Sequence, residues 1–380
     1  MSKKHVYFLI NSLEWGGAEK VVSLVLEQFA RDLSFQTTLI TLKPTAQRLP
    51  STIQHIALSR FSNTLLLHLT FPLLVWKLKK LLRTIPYTWW VSFLELSNLV
   101  HLFSRNDACI SFRTNISVFT GFVWNFYKRA IRTFYPKARC IVLNSEENKK
   151  ELMRYLNLPK EQLHVIYNPL NPLSQKKRTV DDIPPEFQHY YTRPWNTLFI
   201  TIGRLIPSKR YHLILRSLGK LAWTWKKNFS YLILGEGPLQ SSLHRIAEEE
   251  GIADNVVFCG YQNNVFPFLQ HADCFLFTSY AEGYPNVLID ACAVGLPIIT
   301  TNFISGAKEC MEVPLDVSPT EAMHCPWGYL LPNESDESVV SQMTELLITL
   351  DVKTMKNTVS VDKYDSTAIV LQRKERLEIL

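Results

Sequence analysis

The strongest constraint on the fold is an alternation between short apolar, β-branched runs and longer amphipathic stretches. Helical patterns occupy residues 18–32 and 145–156. A βα repeat of this kind predicts a parallel sheet with helices on both faces. The strand-length runs of the first part of the chain lie at residues 5–10, 37–42, 89–93, 108–112, 140–144 and 164–167.

A proline-rich stretch at residues 168–196 interrupts the alternation, which then restarts. We therefore predict an N-terminal domain at 1–172, a linker at 173–196 and a C-terminal domain at 197–365. A last helix, at 366–380, is expected to pack back on the N-terminal domain. The second series of strands is predicted at 198–203, 231–234, 256–259, 274–278 and 297–301, with helices at 209–223, 239–250 and 287–294.

The fold class that follows is α/β, with two doubly wound Rossmann-like domains facing a central cleft. Ligands of such sheets bind beyond the carboxyl ends of the strands. Each domain is therefore expected to bring one substrate to the cleft.

The two predicted halves differ in charge. Residues 1–178 carry 25 Lys and Arg against 10 Asp and Glu, a net charge of +15, and the remainder carries −8. This split predicts different partners for the two halves. A hydrophobic content of 47% excludes disordered and fibrous classes. The basic half contains no recognisable nucleic-acid motif, so a non-catalytic nucleic-acid binder is the weaker alternative.

Residues 64–83 form an apolar segment with a cationic end. It is shorter than the roughly 20 apolar residues of a spanning helix, and His68 and Pro72 interrupt it. Two interpretations carry equal weight: a helix lying on an anionic membrane, or a core helix with a solvated edge. The cations are Lys77, Lys79, Lys80 and Arg83.

The N-terminus and the cysteines both favour a cytoplasmic protein. No apolar region of signal-peptide length follows Met1. The seven cysteines are widely spaced and form no Cys-x-x-Cys pair. Buried, reduced thiols are therefore expected rather than disulfides or a zinc site.

Glycines and cations follow the first strand of each predicted domain. Gly16 and Gly17 open the first helix, where backbone N–H groups can approach an anion, although a tight turn also explains them. Arg204 and Lys209 follow the first strand of the C-terminal half, with Ser208 as a candidate N-cap. Two cations beside a helix N-terminus suit a diphosphate, and a surface loop is the alternative.

The most informative segment places two carboxylates around the start of one helix. Glu282 lies in a loop after a strand, and Asp290 lies one to two turns into the next helix. Carboxylates suit the hydroxyl groups of a sugar and a ribose, while a helix start suits phosphates. The backbone at the helix start belongs to Gly283, Tyr284, Pro285, Asn286 and Val287.

Together these residues resemble the retaining glycosyltransferases of family 4, which have the GT-B fold. The resemblance covers nearly the whole chain. It includes the Ser-Phe-Leu-x3-Asn segment at 92–98 and the Ile-Ser-x-Arg segment at 110–113, both similar to bacterial enzymes that extend lipid-linked oligosaccharides.

The resemblance implies an activity and a role for each residue. A sugar would move from a nucleotide donor, UDP-linked by closest resemblance, to a lipid-linked glycan in cell-surface polysaccharide, lipopolysaccharide or glycoconjugate biosynthesis. Arg204 and Lys209 would hold the donor diphosphate, and Glu282 would contact the donor sugar. Residues 283–287 would line the phosphates and sugar, and Asp290 would bind the ribose. Gly16 and Gly17 would let the first domain close on the donor.

The resemblance also implies an enzyme at the inner face of the plasma membrane, associated peripherally. The family is generally metal-independent, and the sequence has no Asp-x-Asp, so no metal or cofactor is expected. One position departs from the family: Asp290 stands where Glu is usual. A nucleotide-sugar epimerase or a glycogen-type synthase of the same fold is the alternative activity.

Retention of configuration favours front-face transfer, because no residue is a convincing nucleophile. In that mechanism the departing phosphate helps to take the acceptor proton. Glu95 and Arg113 follow predicted strands of the first domain. They are candidates for acceptor or transition-state contacts, and a structural ion pair or a solvated charge is the alternative for each.

Overall fold

A computed structural model gives the structure of the chain as two compact units. The N-terminal unit comprises the chain up to Pro169 together with Tyr364 and Ile369, and the C-terminal unit begins at Leu170. The residues that the structure describes are 4–14, 16–32, 34–45, 49–61, 63–85, 89–105, 108–118, 121–192, 197–225, 228–355, 364–365 and 369.

The N-terminal unit contains a parallel seven-stranded sheet. Its strands are β1 (Lys4–Ile10), β2 (Phe35–Thr41), β3 (Ile53–Ala57), β4 (Trp89–Phe93), β5 (Cys109–Phe112), β6 (Cys140–Leu143) and β7 (Leu163–Val165). Their order is β3-β2-β1-β4-β5-β6-β7. The central strands are buried almost throughout because helices cover both faces of the sheet. β3 was not predicted, and it is an edge strand whose Gln54 and His55 are exposed.

In the part of this unit that the structure describes, six α-helices with defined bounds accompany the sheet. Val21, Val25 and Phe29 follow one another at four-residue spacing along the first helix and are fully buried against the sheet. The helices are α1 (Gly17–Arg31), α2 (Thr64–Leu69), α3 (Phe71–Thr84), α4 (Glu95–Ser104), α5 (Phe122–Phe134) and α6 (Glu146–Leu156).

The segment 64–83 is two helices rather than one. The chain leaves helical geometry at Thr70, and Pro72 occupies the first turn of α3, where its missing N–H costs no hydrogen bond. Leu74 and Leu78 of α3 are buried in the unit. This inner face is the part of the segment that behaves as a core helix.

The C-terminal unit repeats the design. Its strands are β8 (Thr197–Ile202), β9 (Phe229–Leu234), β10 (Val256–Gly260), β11 (Cys274–Phe277), β12 (Ile298–Thr301), β13 (Met323–Cys325) and β14 (Gly328–Leu331). The order is β10-β9-β8-β11-β12-β14-β13, and β13 alone of these seven is antiparallel to its neighbour. β13 and β14, which have only three and four residues, were not predicted.

The C-terminal unit has a helix at each of the three predicted positions. Its described residues contain four further helices that were not predicted. They are α7 (Pro185–Tyr191), α8 (Tyr211–Trp225), α9 (Gln240–Glu249), α10 (Phe266–Gln270), α11 (Asn286–Ala293), α12 (Ala307–Cys310) and α13 (Asp336–Thr349). The stretch predicted as a linker contains α7, and the Tyr191 hydroxyl donates to the carbonyl of Phe268 at 3.4 Å. This stretch therefore packs on the C-terminal unit.

The predicted helix at 366–380 lies outside the described residues except for Ile369. That side chain is 1% exposed and belongs to the apolar core around β1 and α1. Just before it, the ring of Tyr364 lies 6.2 Å from that of Tyr167. Both residues belong to the N-terminal unit.

Two cysteines form a disulfide, so the expectation of reduced thiols is wrong for this pair. Cys109 of β5 and Cys140 of β6 are register partners on adjacent strands, with Cα atoms 4.9 Å apart. That separation lies within the range that a disulfide can bridge. The remaining five cysteines are buried free thiols.

Candidate functional site

The strand order defines where ligands bind in each sheet. In the C-terminal unit the order reverses between β8 and β11. Doubly wound sheets bind ligands beyond the carboxyl ends of the two strands at such a reversal. The loop from Gly203 to Arg210 follows β8, and the loop from Thr278 to Pro285 follows β11. These loops carry most of the predicted donor residues.

Lys209 and Glu282 form an ion pair between the two loops. The Lys209 ammonium contacts the Glu282 carboxylate, and the Ser279 hydroxyl donates to the same carboxylate oxygen at 2.5 Å. The ammonium also lies 5.3 Å from the ring centre of Phe277. The two charged side chains are only 16% and 15% exposed, so water screens the pair poorly. The structure therefore brings together the residues of two separate motifs.

Arg204 is on the same loop as Lys209 but is exposed. Within the described parts of the chain its guanidinium has no hydrogen-bond or ion-pair partner, and only its carbonyl is bonded, to the Ile206 amide. A long cation of this kind can close on an anion without first breaking another contact.

The Gly235-Glu236-Gly237 turn after β9 packs the site and does not need to bind phosphate. Gly235 has φ +140°, and a Cβ there would overlap the carbonyl of Gly203. A Cβ on Gly237 would lie 2.5 Å from the carbonyl oxygen of Leu205. The Leu205 amide donates to Glu236 O at 2.9 Å. Only glycine allows this close approach, which fixes the loop that carries Arg204.

The start of α11 is buttressed by the loop after β12. Gly306, at φ +86°, approaches Tyr284 so closely that a Cβ would lie 2.9 Å from its ring. The Ser305 hydroxyl donates to the carbonyl of Gly283 at 3.3 Å. Helix α11 begins at Asn286, after Pro285 as its N-cap, and Val287 follows in its first turn. The segment predicted to line the donor is therefore a supported helix N-terminus.

Asp290 lies in the second turn of α11 and is 3% exposed. Tyr284 is 4% exposed, whereas Gly283, Asn286 and Val287 are half-buried. A carboxylate this deep in the unit is not a solvated surface charge, which was the simplest alternative for Asp290.

In the N-terminal unit the strand order reverses between β1 and β4. Gly16 precedes α1 in an extended conformation, Gly17 begins the helix, and the Glu19 carboxylate folds over Gly16. Glu95 begins α4 directly after β4. It follows Leu94, whose φ of 71° is unusual for a bulky residue. The predicted residues Gly16, Gly17 and Glu95 thus all follow the two strands of the reversal.

Desolvation raises the pKa of the Glu95 carboxyl above its ordinary value, and the Glu19 carboxylate adds to the rise. Hydrogen bonds from the Glu95 amide and the Thr114 hydroxyl oppose it. Burial likewise raises the pKa of Tyr127, with Glu95 as a second cause. Glu95 is therefore a carboxyl group that water solvates poorly, beside another carboxylate.

Arg113 follows β5 and is 8% exposed. Its guanidinium donates to the side-chain oxygen of Asn168, and the Asn144 amide donates to the Arg113 carbonyl at 3.5 Å. The structure therefore ties Arg113 to the loops after neighbouring strands of its own unit.

A surface formed by α2, α3 and α5 combines exposed apolar side chains with cations; we name it the cationic apolar surface. His68 of α2 and Tyr127 of α5 are hydrogen-bonded at 2.7 Å, which joins the helices. The sequences of α3 and α5 contain Lys and Arg but no Asp or Glu. The exposed apolar side chains are Leu65, Leu66, Leu69, Leu73, Trp76, Trp124 and Phe126, and the exposed cations are Lys79, Lys80, Arg83, Arg129 and Arg132.

One predicted surface cation has a structural role instead. The Lys77 ammonium donates to the carbonyl of Leu58 at 2.6 Å and is half-buried.

Across the described residues no helix is long and apolar enough to cross a bilayer. In the same residues no group of three or more His, Cys, Asp or Glu side chains is arranged to hold a metal ion.

Sequence reasoning missed several residues that shape the site. Ser279 and Lys209 both bind the Glu282 carboxylate. The Thr278 carbonyl accepts a hydrogen bond from Arg210, and the Thr278 hydroxyl donates to the carbonyl of Lys209. Both partners of Thr278 belong to the loop from Gly203 to Arg210, which we call the Lys209 loop. Thr278 and Ser279 stand at the end of β11, where the strand order reverses, and that position was the available signal. Arg210 was also missed, although it directly follows Lys209.

Two family models match the chain, one for each unit. The model "Glycosyltransferase Family 4" matches residues 15–172, and the model "Glycosyl transferases group 1" matches residues 187–348. Together they span most of the chain.

Curated relatives include two glycosyltransferases of Campylobacter jejuni. One is the N-acetylgalactosamine-N,N'-diacetylbacillosaminyl-diphospho-undecaprenol 4-alpha-N-acetylgalactosaminyltransferase, 26% identical over 79% of this chain and 81% of the relative. The other is a GalNAc-alpha-(1->4)-GalNAc-alpha-(1->3)-diNAcBac-PP-undecaprenol alpha-1,4-N-acetyl-D-galactosaminyltransferase, 21% identical over 81% and 82%.

Solved structures share the fold at low sequence identity. HepE of Anabaena, in complex with UDP and glucose, superposes with a TM-score of 0.72 at 15% identity over 99% of this chain and 100% of its own. WaaG, a glycosyltransferase involved in lipopolysaccharide biosynthesis, has a TM-score of 0.69 at 15% identity over 99% and 95%. With both family models and these relatives in agreement, the chain belongs to glycosyltransferase family 4 and has the GT-B fold.

Proposed function

We propose that the protein is a retaining, metal-independent glycosyltransferase that moves a sugar from a UDP-linked donor to a lipid-linked glycan. The observation that carries this proposal is the Lys209–Glu282 ion pair, which joins the loops after β8 and β11 at the strand reversal. A cation for the diphosphate and a carboxylate for the sugar stand side by side there. A nucleotide sugar has these two chemistries in the same order.

In this proposal donor binding redirects the charges of the ion pair. The donor diphosphate draws the Lys209 ammonium, and exposed Arg204 closes on it from the other end of the loop. The Glu282 carboxylate, still held by Ser279, is freed to accept hydrogen bonds from the sugar hydroxyls. Residues 283–287 contribute the positive end of α11, and Asp290 binds the ribose. The cations thus take the part that a metal ion plays in other transferases.

The chemistry that fits this arrangement is front-face transfer. The bond from the sugar C1 to the phosphate oxygen breaks while the acceptor oxygen bonds to the same face of C1, so configuration is retained. The acceptor proton passes to the departing phosphate oxygen. The Glu282 carboxylate, which Ser279 still holds by a hydrogen bond, orients the donor and does not attack C1. The chain then contributes positioning and stabilisation of the leaving diphosphate.

The donor and the acceptor class are inferred from relatives. HepE binds UDP in its crystal structures, and the Campylobacter relatives are N-acetylgalactosaminyltransferases named for diphospho-undecaprenol substrates. We infer a UDP-linked N-acetylhexosamine as donor and a diphospholipid-linked glycan as acceptor. Glu95 and Arg113, at the carboxyl ends of β4 and β5, are the proposed acceptor or transition-state contacts, and Gly16 and Gly17 give the first loop its room for the donor.

A lipid-linked acceptor requires access to a membrane surface. The cationic apolar surface has the two properties of an interfacial element, apolar side chains such as Trp76 and Phe126 and neighbouring cations. We propose that it rests on the anionic cytoplasmic face of the plasma membrane, without nucleic acid as a partner. Residues 179–380 carry a net charge of −8, which favours contact with solvent over contact with anionic lipid.

A direct test combines donor binding with product analysis. A thermal-shift panel of nucleotide sugars identifies the donor, because a ligand of the folded state raises the Tm. Transfer to a diphospholipid-linked glycan is then measured with excess EDTA, and NMR gives the anomeric configuration of the product. We expect an α-linked product from an α-linked donor and activity that survives EDTA. An inverted product, or activity that only a divalent ion restores, would contradict the proposal, and nucleotide release without acceptor would favour an epimerase.

A further inference from the structure

Arg210 stands at the junction between the Lys209 loop and α8 in a strained backbone conformation. Its φ of 49° and ψ of 41° are left-handed, a region that glycine adopts freely and other residues adopt at a cost. A costly conformation persists where surrounding contacts determine it. Contacts of the Arg210 side chain and of the neighbouring backbone must therefore hold this conformation in place.

The Arg210 guanidinium is bound on three sides. Its Nε donates to the carbonyl of Thr278 at 3.1 Å, and its Nη2 donates to the side-chain oxygen of Asn333 at 2.6 Å. Its Nη1 lies 3.3 Å from a carboxylate oxygen of Asp336. The side chain is only 12% exposed. A planar fork with several donors is suited to this, and lysine cannot replace it.

The backbone of the same segment is joined to the loop after β11. The Thr278 hydroxyl lies within hydrogen-bond distance of the carbonyls of Arg210, at 2.9 Å, and Lys209, at 3.2 Å. The Tyr280 amide donates to the carbonyl of Ser208 at 2.8 Å. Thr278 and Tyr280 flank Ser279, whose hydroxyl holds Glu282. The contacts of Arg210 thus connect the start of α13, the end of β11 and the Lys209 loop.

We propose that Arg210 is a positioning residue that sets the location of the Lys209 ammonium relative to Glu282. The inference rests on the proposed function, in which Lys209 meets the donor diphosphate. Arg210 itself need not touch the donor, because it acts through the backbone it shares with Lys209. The strained turn is retained because its side chain anchors this backbone to α13 and β11.

A double-mutant cycle between Lys209 and Arg210 tests the proposal. Arg210→Ala should lower kcat about 30-fold, since a displacement of roughly 1 Å at a reacting centre costs on the order of 100-fold. In the Lys209→Ala background the same change should alter kcat by less than about twofold, because the residue it positions is gone. UDP affinity by calorimetry closes the same cycle where transfer is too slow to measure. An equal loss in both backgrounds, or a wild-type kcat for Arg210→Ala, would overturn the proposal.

Two further variants separate positioning from folding. Arg210→Gly removes the backbone strain, because glycine adopts the left-handed region freely. If Arg210 served only to make the turn, this variant would keep the wild-type kcat. We expect its kcat to be as low as that of Arg210→Ala and its Tm to be higher than that of Arg210→Ala. Asn333→Ala removes one hydrogen bond and should cost kcat a few-fold, again only when Lys209 is present. It keeps the test decisive if Arg210→Ala fails to fold. A wild-type kcat for Asn333→Ala in that event would also overturn the proposal.

The matched control is Arg216→Ala, an exposed arginine on α8 that should leave kcat and Tm unchanged. The failure of the proposed function has a different result. If Lys209→Ala transfers sugar at the wild-type rate, then the assignment of Lys209 to the diphosphate is wrong whatever Arg210 does. If Lys209→Ala is slow and Arg210 shows no coupling to it, then only the present inference fails.

Discussion

The two units carry differently paired carboxylates at the same strand reversal of their sheets. The order reverses between β1 and β4 in one sheet and between β8 and β11 in the other. Glu95 follows β4, and Glu282 lies in the loop after β11. Glu282 is paired with the Lys209 cation, whereas Glu95 has the Glu19 carboxylate as a charged neighbour. Equivalent loops of the two units therefore hold carboxylates in different surroundings. Glu282, beside a cation, is the neutralised carboxylate, and Glu95, beside another carboxylate, is the crowded carboxylate.

The function of each unit therefore lies in its loops and surface, since the strand order around the reversal is the same in both sheets. The Lys209–Glu282 pair suits a ligand that carries both an anion and hydroxyl groups. The N-terminal unit has no such described pair beside Glu95, but it carries the cationic apolar surface. The predictions that follow test whether donor binding and membrane binding are divided in this way.

The largest effect should come from the neutralised carboxylate. Lys209→Ala and Glu282→Gln should each lower kcat about 100- to 1,000-fold, because preorganised groups at developing charge are worth that much. The acceptor KM should change little if the N-terminal unit binds the acceptor. Steady-state kinetics with both substrates varied gives the two constants. Lys220→Ala, an exposed lysine on α8, is the control. If both variants had a kcat within threefold of the wild-type value, the ion pair would not be part of the donor site.

The second effect concerns the cations of α3. The triple change Lys79→Gln, Lys80→Gln and Arg83→Gln should weaken binding to anionic vesicles about 100-fold, since each cation near such a surface is worth roughly 1 kcal/mol. Sedimentation with phosphatidylglycerol vesicles at low salt measures it. Arg216→Gln with Lys220→Gln removes cations from the C-terminal unit and should have no effect. Equal losses in the two sets would mean that net charge, rather than this surface, attracts the protein.

A smaller effect should follow from one apolar side chain. Trp76 of α3 and Trp223 of α8 are both exposed, 57% and 91%. Trp76→Ala should lower vesicle affinity about tenfold, because it removes apolar area that the interface would bury. Trp223→Ala is the matched control on the C-terminal unit and should bind as the wild type does. If Trp223→Ala weakened vesicle binding as much, the membrane would contact both units.

The repeated βα pattern was enough to predict the class of both sheets, because strands buried on two faces are recognisable as apolar runs. Edge elements were harder. β3 presents Gln54 and His55 to solvent, and β13 has three residues, so neither shows a buried pattern. The break at Thr70 was also missed, although Pro72 marks the first turn of the following helix.

The candidate donor residues could be proposed from sequence because motif, strand end and helix start coincide in one segment. Their pairing could not. The Lys209–Glu282 contact joins residues 73 positions apart, and it depends on the parallel neighbours β8 and β11. The Cys109–Cys140 disulfide was missed for a similar reason, since only the register of β5 and β6 places the two side chains opposite each other.

The smallest effect distinguishes the crowded carboxylate by its pH dependence. The pKa of Glu95 is raised in the folded state above the ordinary value of 4.5, so the folded chain holds this proton at pH values where the unfolded chain has lost it. The stability contributed by the protonated form is therefore lost as pH rises from about 4.5 through the raised pKa. Glu95→Gln cannot ionise, and it should have a higher Tm than the wild type at pH 8.

That advantage should shrink as pH falls towards 4.5, where the wild-type carboxyl regains its proton. Thermal unfolding of both proteins at a series of pH values between 4.5 and 8 measures the difference. Glu161→Gln, at an exposed carboxylate of the same unit, should show no such trend. A Tm difference that is constant over this range would mean that water or a cation relieves Glu95 in solution, and the contrast with Glu282 would then disappear.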